Sequence, residues 1–206
     1  HITFREAPEF QRPGIPKGGC WERLGAIAHH AGQGYVVQLD ADTVAVAPLV
    51  DVGKAIEEGA SFTLGTEDGQ QIAGSAAVAS WAQGQLDGND HIQGLAEACL
   101  DRLDPDGRFR YVRGCAGFAG FARGSIDPDA VLEVSNRMSR LMGDKWSAWG
   151  TEQFTSNLLL VGGFATPALH GLVAPGLDGY PYERVPGVPF APDSARRLLA
   201  EAGYPE

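Results

Sequence analysis

Cysteine is scarce: Cys20, Cys99 and Cys115 are the three in 206 residues, and no Cys-x-x-Cys spacing occurs. An odd count without that spacing excludes a complete disulfide framework and a cysteine-based zinc site, and points to a reducing compartment such as the cytoplasm. Cationic side chains are also short, with 16 Lys and Arg against 26 Asp and Glu, for a net charge of −10. A nucleic-acid partner is therefore not expected, because binding one needs clustered Lys and Arg to neutralise phosphates. No stretch approaches the ~18 consecutive apolar residues of a membrane-spanning helix, so no transmembrane segment is expected. The chain opens on His1 rather than Met and shows neither a basic nor an apolar leader region, which predicts a partial chain. No internal repeat is visible.

What is present fits a folded chain. Hydrophobic residues make up 44% and charged residues 20%, whereas 28 Gly and 13 Pro, about a fifth of the chain, require many loops. His1 to Phe10 alternates apolar and polar residues as a short strand does, and Gln11 to Gly19 is a Pro/Gly loop. Trp21, Leu24, Ile27 and Ala28 recur at helical spacing, predicting a helix from Cys20 to Ala31, with Gly32 and Gly34 ending it. Tyr35 to Leu39 reads as a strand that is central and buried on both faces, since Gln38 is its one amide among apolar residues. Further helices are predicted over 50–59, 75–86, 91–103, 128–142 and 151–160, and strands over 61–65, 109–112 and 118–122. The most regular is Pro128 to Met142, with Val131, Val134, Met138 and Leu141 on one face. Alternation of the two element types over 1–160 predicts an α/β layer fold. From 162 the chain becomes rich in Gly and Pro, and a last helix is predicted from Pro192 to Ala202.

Asp40 and Asp42 follow the predicted strand directly, in the run YVVQLDADTV. Carboxylates at i and i+2 beyond a strand end lie at the sheet edge where open α/β folds bind ligands. Two hard oxygen donors there suit Mg²⁺ or Mn²⁺, and such a cation lets an acidic protein hold an anionic nucleotide. Two Asp residues after a strand also serve as ordinary turn formers.

The order WERLGAI, YVVQLDADTVAVAPL and SFTLGT resembles the GT-A nucleotide-sugar glycosyltransferases, in the branch of glycogenin and the bacterial lipopolysaccharide galactosyl- and glucosyltransferases. GCAGFAGF (114–121) and WGTEQFTSNLLL (149–160) are similar to that family's small-residue segment and its Gln-bearing helix ending in Asn. The resemblance implies a mixed-sheet, nucleotide-sugar-binding α/β sandwich over 1–160, incomplete at its N-terminus because the family's opening base-binding strand is not found. It implies metal-dependent glycosyl transfer from a nucleotide-diphosphate sugar to an unspecified acceptor. Asp40 and Asp42 would hold Mn²⁺ or Mg²⁺. Lys17, Arg23, Gly117 and Asn157 would bind substrate, and Glu152 and Gln153 would face the sugar or acceptor. The family's late His ligand has His170 as its candidate, in a context that does not match.

The tail over 161–206, with GGFATPALHGLVAPGLDGYP and PFAPDSARRLLAEAGYPE, resembles a segment of the peptide/nickel-type extracellular solute-binding proteins. Together the two resemblances imply a truncated transferase core joined to a foreign tail. Two other readings compete: an inactive fusion or solute-binding-protein fragment, and a haloacid-dehalogenase-type phosphatase using Asp40 as nucleophile. Gly114, Gly117 and Gly120 read equally as a phosphate-cradling loop or as turn glycines. His29 and His30 read as partners of a helix C-terminus, and Cys115 as a small space-filler. The four tryptophans read as core or rim, with Trp146 and Trp149 a possible sugar platform.

Overall fold

A computed structural model describes residues 2–45, 47–65, 72–88 and 90–161, and every structural statement below concerns these residues. Apart from Val161, the tail expected over 161–206, its helix and His170 lie outside the described residues. The architecture is mixed α/β. In chain order it runs α1 (Trp21–Ala31), β1 (Val36–Leu39), α2 (Val50–Glu58), β2 (Phe62–Gly65) and β3 (Ala73–Gly74). It continues through α3 (Ser75–Gln85), α4 (Ile92–Glu97), α5 (Leu100–Leu103), β4 (Arg110–Tyr111), β5 (Gly114–Phe121), α6 (Pro128–Met142) and α7 (Thr151–Val161). None of the described helices is long and apolar enough to cross a membrane.

The helices follow their apolar stripes. α1 buries Trp21, Leu24, Ile27, Ala28 and Ala31, one face at the helical period. His29 and His30 stand in its last turn, where the carbonyl ends favour them. α6 starts at Pro128 as expected, and the structure shows its cap: the Asp127 carboxylate accepts from Asp129 N–H at 2.6 Å. The helix expected over 91–103 is two shorter ones, interrupted by a turn at Ala98 and Cys99. Of the expected opening strand nothing forms; a 3-10 turn at Ala7–Phe10 takes its place, closed by Glu9 accepting from Glu6 N–H at 2.8 Å. Pro8 explains this, since it removes a backbone donor that a ladder requires.

α7 differs from the others in being buried nearly all round. Around it the core closes through Trp146, whose ring lies 5.7 Å from Trp21 and 6.0 Å from Phe154. Both indoles are satisfied: Trp21 donates to Thr151 Oγ1 at 3.1 Å and Trp146 to Ser135 Oγ at 3.1 Å. Trp146 is thus a core residue rather than a sugar platform, and Trp149 alone of that pair is exposed.

All described pairings are antiparallel, so the mixed sheet expected from the resemblance is not what these residues form. The larger sheet has the order β1-β5-β2, and β3 pairs with β4. β1 is therefore an edge strand, not the central one its apolar run predicts. Its register pairs Val36 with Phe121 and Gln38 with Ala119, and paired residues share a face. That puts Gln38 inward with Phe121, while Val37 and Leu39 are exposed. An apolar run does not report how many neighbours a strand has, and the register inverted which residues it buries.

β5 corrects a second expectation. The segment over 114–121 is one continuous strand, not turns around a short strand at 118–122. None of Gly114, Gly117 and Gly120 has a positive φ, so no turn or phosphate-cradling loop is built from them. Space is the reason they are glycine. A Cβ at Gly120 would fall onto the Phe62 ring and the Tyr35 hydroxyl, and one at Gly114 onto Thr63. Burial pushes the Tyr35 hydroxyl up to about 12, so it stays a donor, bonding Ala60 O at 2.6 Å. Gly120→Ala should destabilise the fold by about 1–3 kcal/mol, the usual cost of overpacking, without changing the far-ultraviolet spectrum. An unchanged melting curve would show that the strands do not approach this closely.

Candidate functional site

Four elements bring their side chains to one place. α1 supplies Arg23, the carboxyl end of β1 supplies Asp40, β5 supplies Gly117, and the first turn of α7 supplies Glu152. Arg23 lies between the two acids. Its Nη1 donates to Asp40 Oδ1 at 2.8 Å and its Nη2 to Glu152 Oε1 at 3.3 Å. The Asp40 N–H bonds Gly117 O at 2.9 Å, carrying the β1-β5 ladder one residue past the strand. On the side-chain side, a Cβ at position 117 would lie 2.9 Å from Asp40 Oδ2, so only glycine leaves that oxygen its place. Gly117 therefore serves the site by making room for Asp40.

Glu152 is the least ordinary group. It is 3% exposed, and its Oε2 is buried with no hydrogen-bond partner. Burial raises its proton affinity above the ordinary carboxylate value; the Arg23 charge and the backbone N–H groups of the first turn oppose that without cancelling it. Buried polar atoms in native structures are nearly always paired, so this oxygen is the one buried acceptor of the cluster that the described side chains leave open.

The other expected site residues divide. Asp42 follows Asp40 in the turn after β1 and is exposed. Lys17 sits in the loop before α1, near enough for its charge to act on Glu22, whose carboxylate accepts from Gly18 N–H at 2.9 Å. Gln153 and Asn157 do not face Arg23; both donate to Gly114 O, at 2.8 and 3.1 Å. Their amides clamp the start of β5 onto α7. Cys115 behaves as a packing residue that accepts from Gly117 N–H at 3.3 Å through its Sγ.

Two oxygen donors, Asp40 Oδ2 and the Asp42 carboxylate, are of the kind that Mg²⁺ and Mn²⁺ take. Among the described residues no three His, Cys, Asp or Glu side chains gather to hold an ion. A cation at this place would draw its remaining ligands from water and phosphate, as Mg²⁺ commonly does.

Sequence reasoning missed a second cluster. Glu97 is fully buried and receives Arg113 through Nε at 3.0 Å and through Nη2, together with the Tyr111 hydroxyl at 2.7 Å. Burial first, then the Glu97 charge, pushes Tyr111 well above its ordinary value and keeps it a donor. These residues share no motif spacing, so nothing in the sequence links them. No family model matches the chain, and neither curated proteins nor solved structures give a match.

The Glu152 carboxyl makes stability depend on pH. Because its proton is held more tightly folded than unfolded, it stabilises the folded state below its ordinary value of 4.5, and that contribution is lost as pH rises through the raised value. Glu152→Gln removes the titration. Its melting temperature relative to wild type should rise from pH 4.5 toward neutrality, by roughly 2–4 °C for each kcal/mol recovered. A variant that melts below wild type by the same margin at every pH would contradict the raised proton affinity.

Proposed function

We propose that the chain transfers a glycosyl group from a nucleotide-diphosphate sugar to an acceptor, with Asp40 and Asp42 as the metal-binding pair. The observation that carries this reading is the convergence of Arg23, Asp40, Gly117 and Glu152 from four separate elements. Those are positions that the GT-A resemblance singles out. The antiparallel pairings and the edge position of β1 depart from what the GT-A resemblance implies, so the reading rests on the convergence of these side chains alone.

Each residue has a role that its surroundings suit. Arg23 uses two of its five donors on Asp40 and Glu152, leaving others for a diphosphate oxygen. By holding Asp40 Oδ1, it orients Oδ2 toward the space above Gly117. Mn²⁺ or Mg²⁺ bound there supplies Lewis-acid stabilisation of a diphosphate leaving group. Glu152 Oε2, buried and unpartnered, accepts a hydroxyl of the sugar or acceptor. Gln153 and Asn157 act at one remove by fixing Gly114, and with it the strand that carries Gly117.

Thermal melts with and without Mn²⁺ test the reading. Mn²⁺ should raise the melting temperature, and UDP or GDP should raise it further only when Mn²⁺ is present. Binding at a hundredfold excess over the dissociation constant is worth about 2.7 kcal/mol. Asp42→Asn should abolish both shifts and keep the fold, since Asn preserves size and turn-forming ability. Gly117→Ala should weaken them by displacing Asp40 Oδ2. If neither cation nor nucleotide moves the wild-type curve, the chain has no working site of this kind. Stabilisation by Mg²⁺ with beryllofluoride and no nucleotide would point instead to phosphatase chemistry at Asp40.

A further inference from the structure

Away from Asp40, a pocket of about 350 Å³ is lined by Trp81, Gln85, Asp90, His91, Gln93 and Arg113, among others. Its volume lies within the ~300–1,000 Å³ range of small-molecule sites. Trp81 is the unusual member. α3 buries Ala79 and Ala82 beside it, yet Trp81 is 45% exposed. Arg113 holds that ring in place, with its guanidinium carbon 5.1 Å from the ring centroid.

The charge at the pocket decides what it accepts. Arg113 is the cation of the lining, and the fully buried Glu97 behind it already compensates that charge. Asp90 adds a carboxylate, whose two oxygens accept Asp87 N–H at 3.1 Å and Gly88 N–H at 3.0 Å and retain lone pairs beyond those bonds. Such a lining disfavours phosphates and carboxylates. It also disfavours a wholly apolar ligand, because two amides, an imidazole and a carboxylate share the wall with the indole. A second exposed indole is close by: the Trp149 ring packs edge-on to the His91 imidazole at 5.9 Å. Flat apolar surface flanked by mixed donors and acceptors suits a ring with an apolar face and a hydroxylated edge.

We propose that this pocket binds an uncharged saccharide, with one sugar ring stacked on Trp81, its hydroxyls on Gln85, Asp90 and His91, and a further ring able to reach Trp149. The pocket shares no residue with the Arg23–Asp40–Glu152 cluster, so the proposal stands apart from the transferase reading. Binding is measured without metal or nucleotide, and either reading can fail alone.

The test is saturation-transfer NMR on the full chain with lactose, maltose and N-acetylglucosamine, alongside glucose 6-phosphate and uridine. At least one neutral sugar should bind saturably and shift one indole N–H resonance, which the Trp81→Phe spectrum assigns. Trp81→Ala should weaken that sugar by about tenfold or more. Gln85→Ala, remote from the Arg113–Glu97 pair, should weaken it severalfold with an unchanged melting temperature. No saturable binding of any neutral sugar would overturn the proposal. So would tighter binding of glucose 6-phosphate or uridine than of every neutral sugar, or undiminished affinity in both Trp81→Ala and Gln85→Ala.

Discussion

Close approach across β5 is the constraint on which the site depends. This strand runs between β1 and β2, and its sequence GCAGFAGF withholds side chains at the points where neighbours press in. Gly120 admits the Phe62 ring and the Tyr35 hydroxyl, and Gly117 admits the Asp40 carboxylate. Gly114 contributes its carbonyl, which takes two amide donors from α7. The same strand therefore sets the distance between the sheet and α7. Glu152, on the first turn of that helix, reaches Arg23 as a consequence. A glycine in a strand costs backbone entropy and forgoes packing, so three in eight residues are retained only where space is worth more.

Two ion clusters, one around a fully buried carboxylate and one partly exposed, then do different jobs. At Glu97, the guanidinium fork of Arg113 and the Tyr111 hydroxyl saturate a fully buried carboxylate. A saturated cluster fixes geometry, here the orientation of the Trp81 indole above Arg113. At Arg23, one cation serves two acids, and an oxygen of Glu152 is left without a partner. An unsatisfied cluster retains binding capacity, which is why the proposed function is assigned to it and not to Glu97.

The parts legible in the sequence were those with local causes. α6 is written in a stripe of apolar residues from Pro128 on, and α1 in the spacing of Trp21, Leu24, Ile27 and Ala28. Arg23, Asp40, Gly117 and Glu152 were named from motif resemblance, and the fold brings them together. What could not be read depends on partners far along the chain. β1 looked central because its residues are apolar, but pairing with β5 on one side alone turned Val37 and Leu39 outward and Gln38 inward. β5 looked like turns because glycine signals both a turn and a close contact, and backbone angles alone separate the two. Gln153 and Asn157 looked like substrate ligands, whereas they meet a carbonyl about forty residues away. The Glu97–Arg113–Tyr111 cluster and the Trp81 pocket had no spacing signature at all.

If Asp40 and Asp42 bind a divalent cation as proposed, the ion lies in direct contact with a nucleoside diphosphate. Electron–nuclear double resonance on Mn²⁺ with the protein and UDP measures that contact through its phosphorus couplings. Couplings to both phosphates are expected in wild type, with fewer water protons on the ion than in Mn²⁺ and UDP alone, and Asp40→Asn should return the spectrum to that of Mn²⁺ and UDP alone. A spectrum of protein, Mn²⁺ and UDP indistinguishable from that of Mn²⁺ and UDP without protein would contradict it.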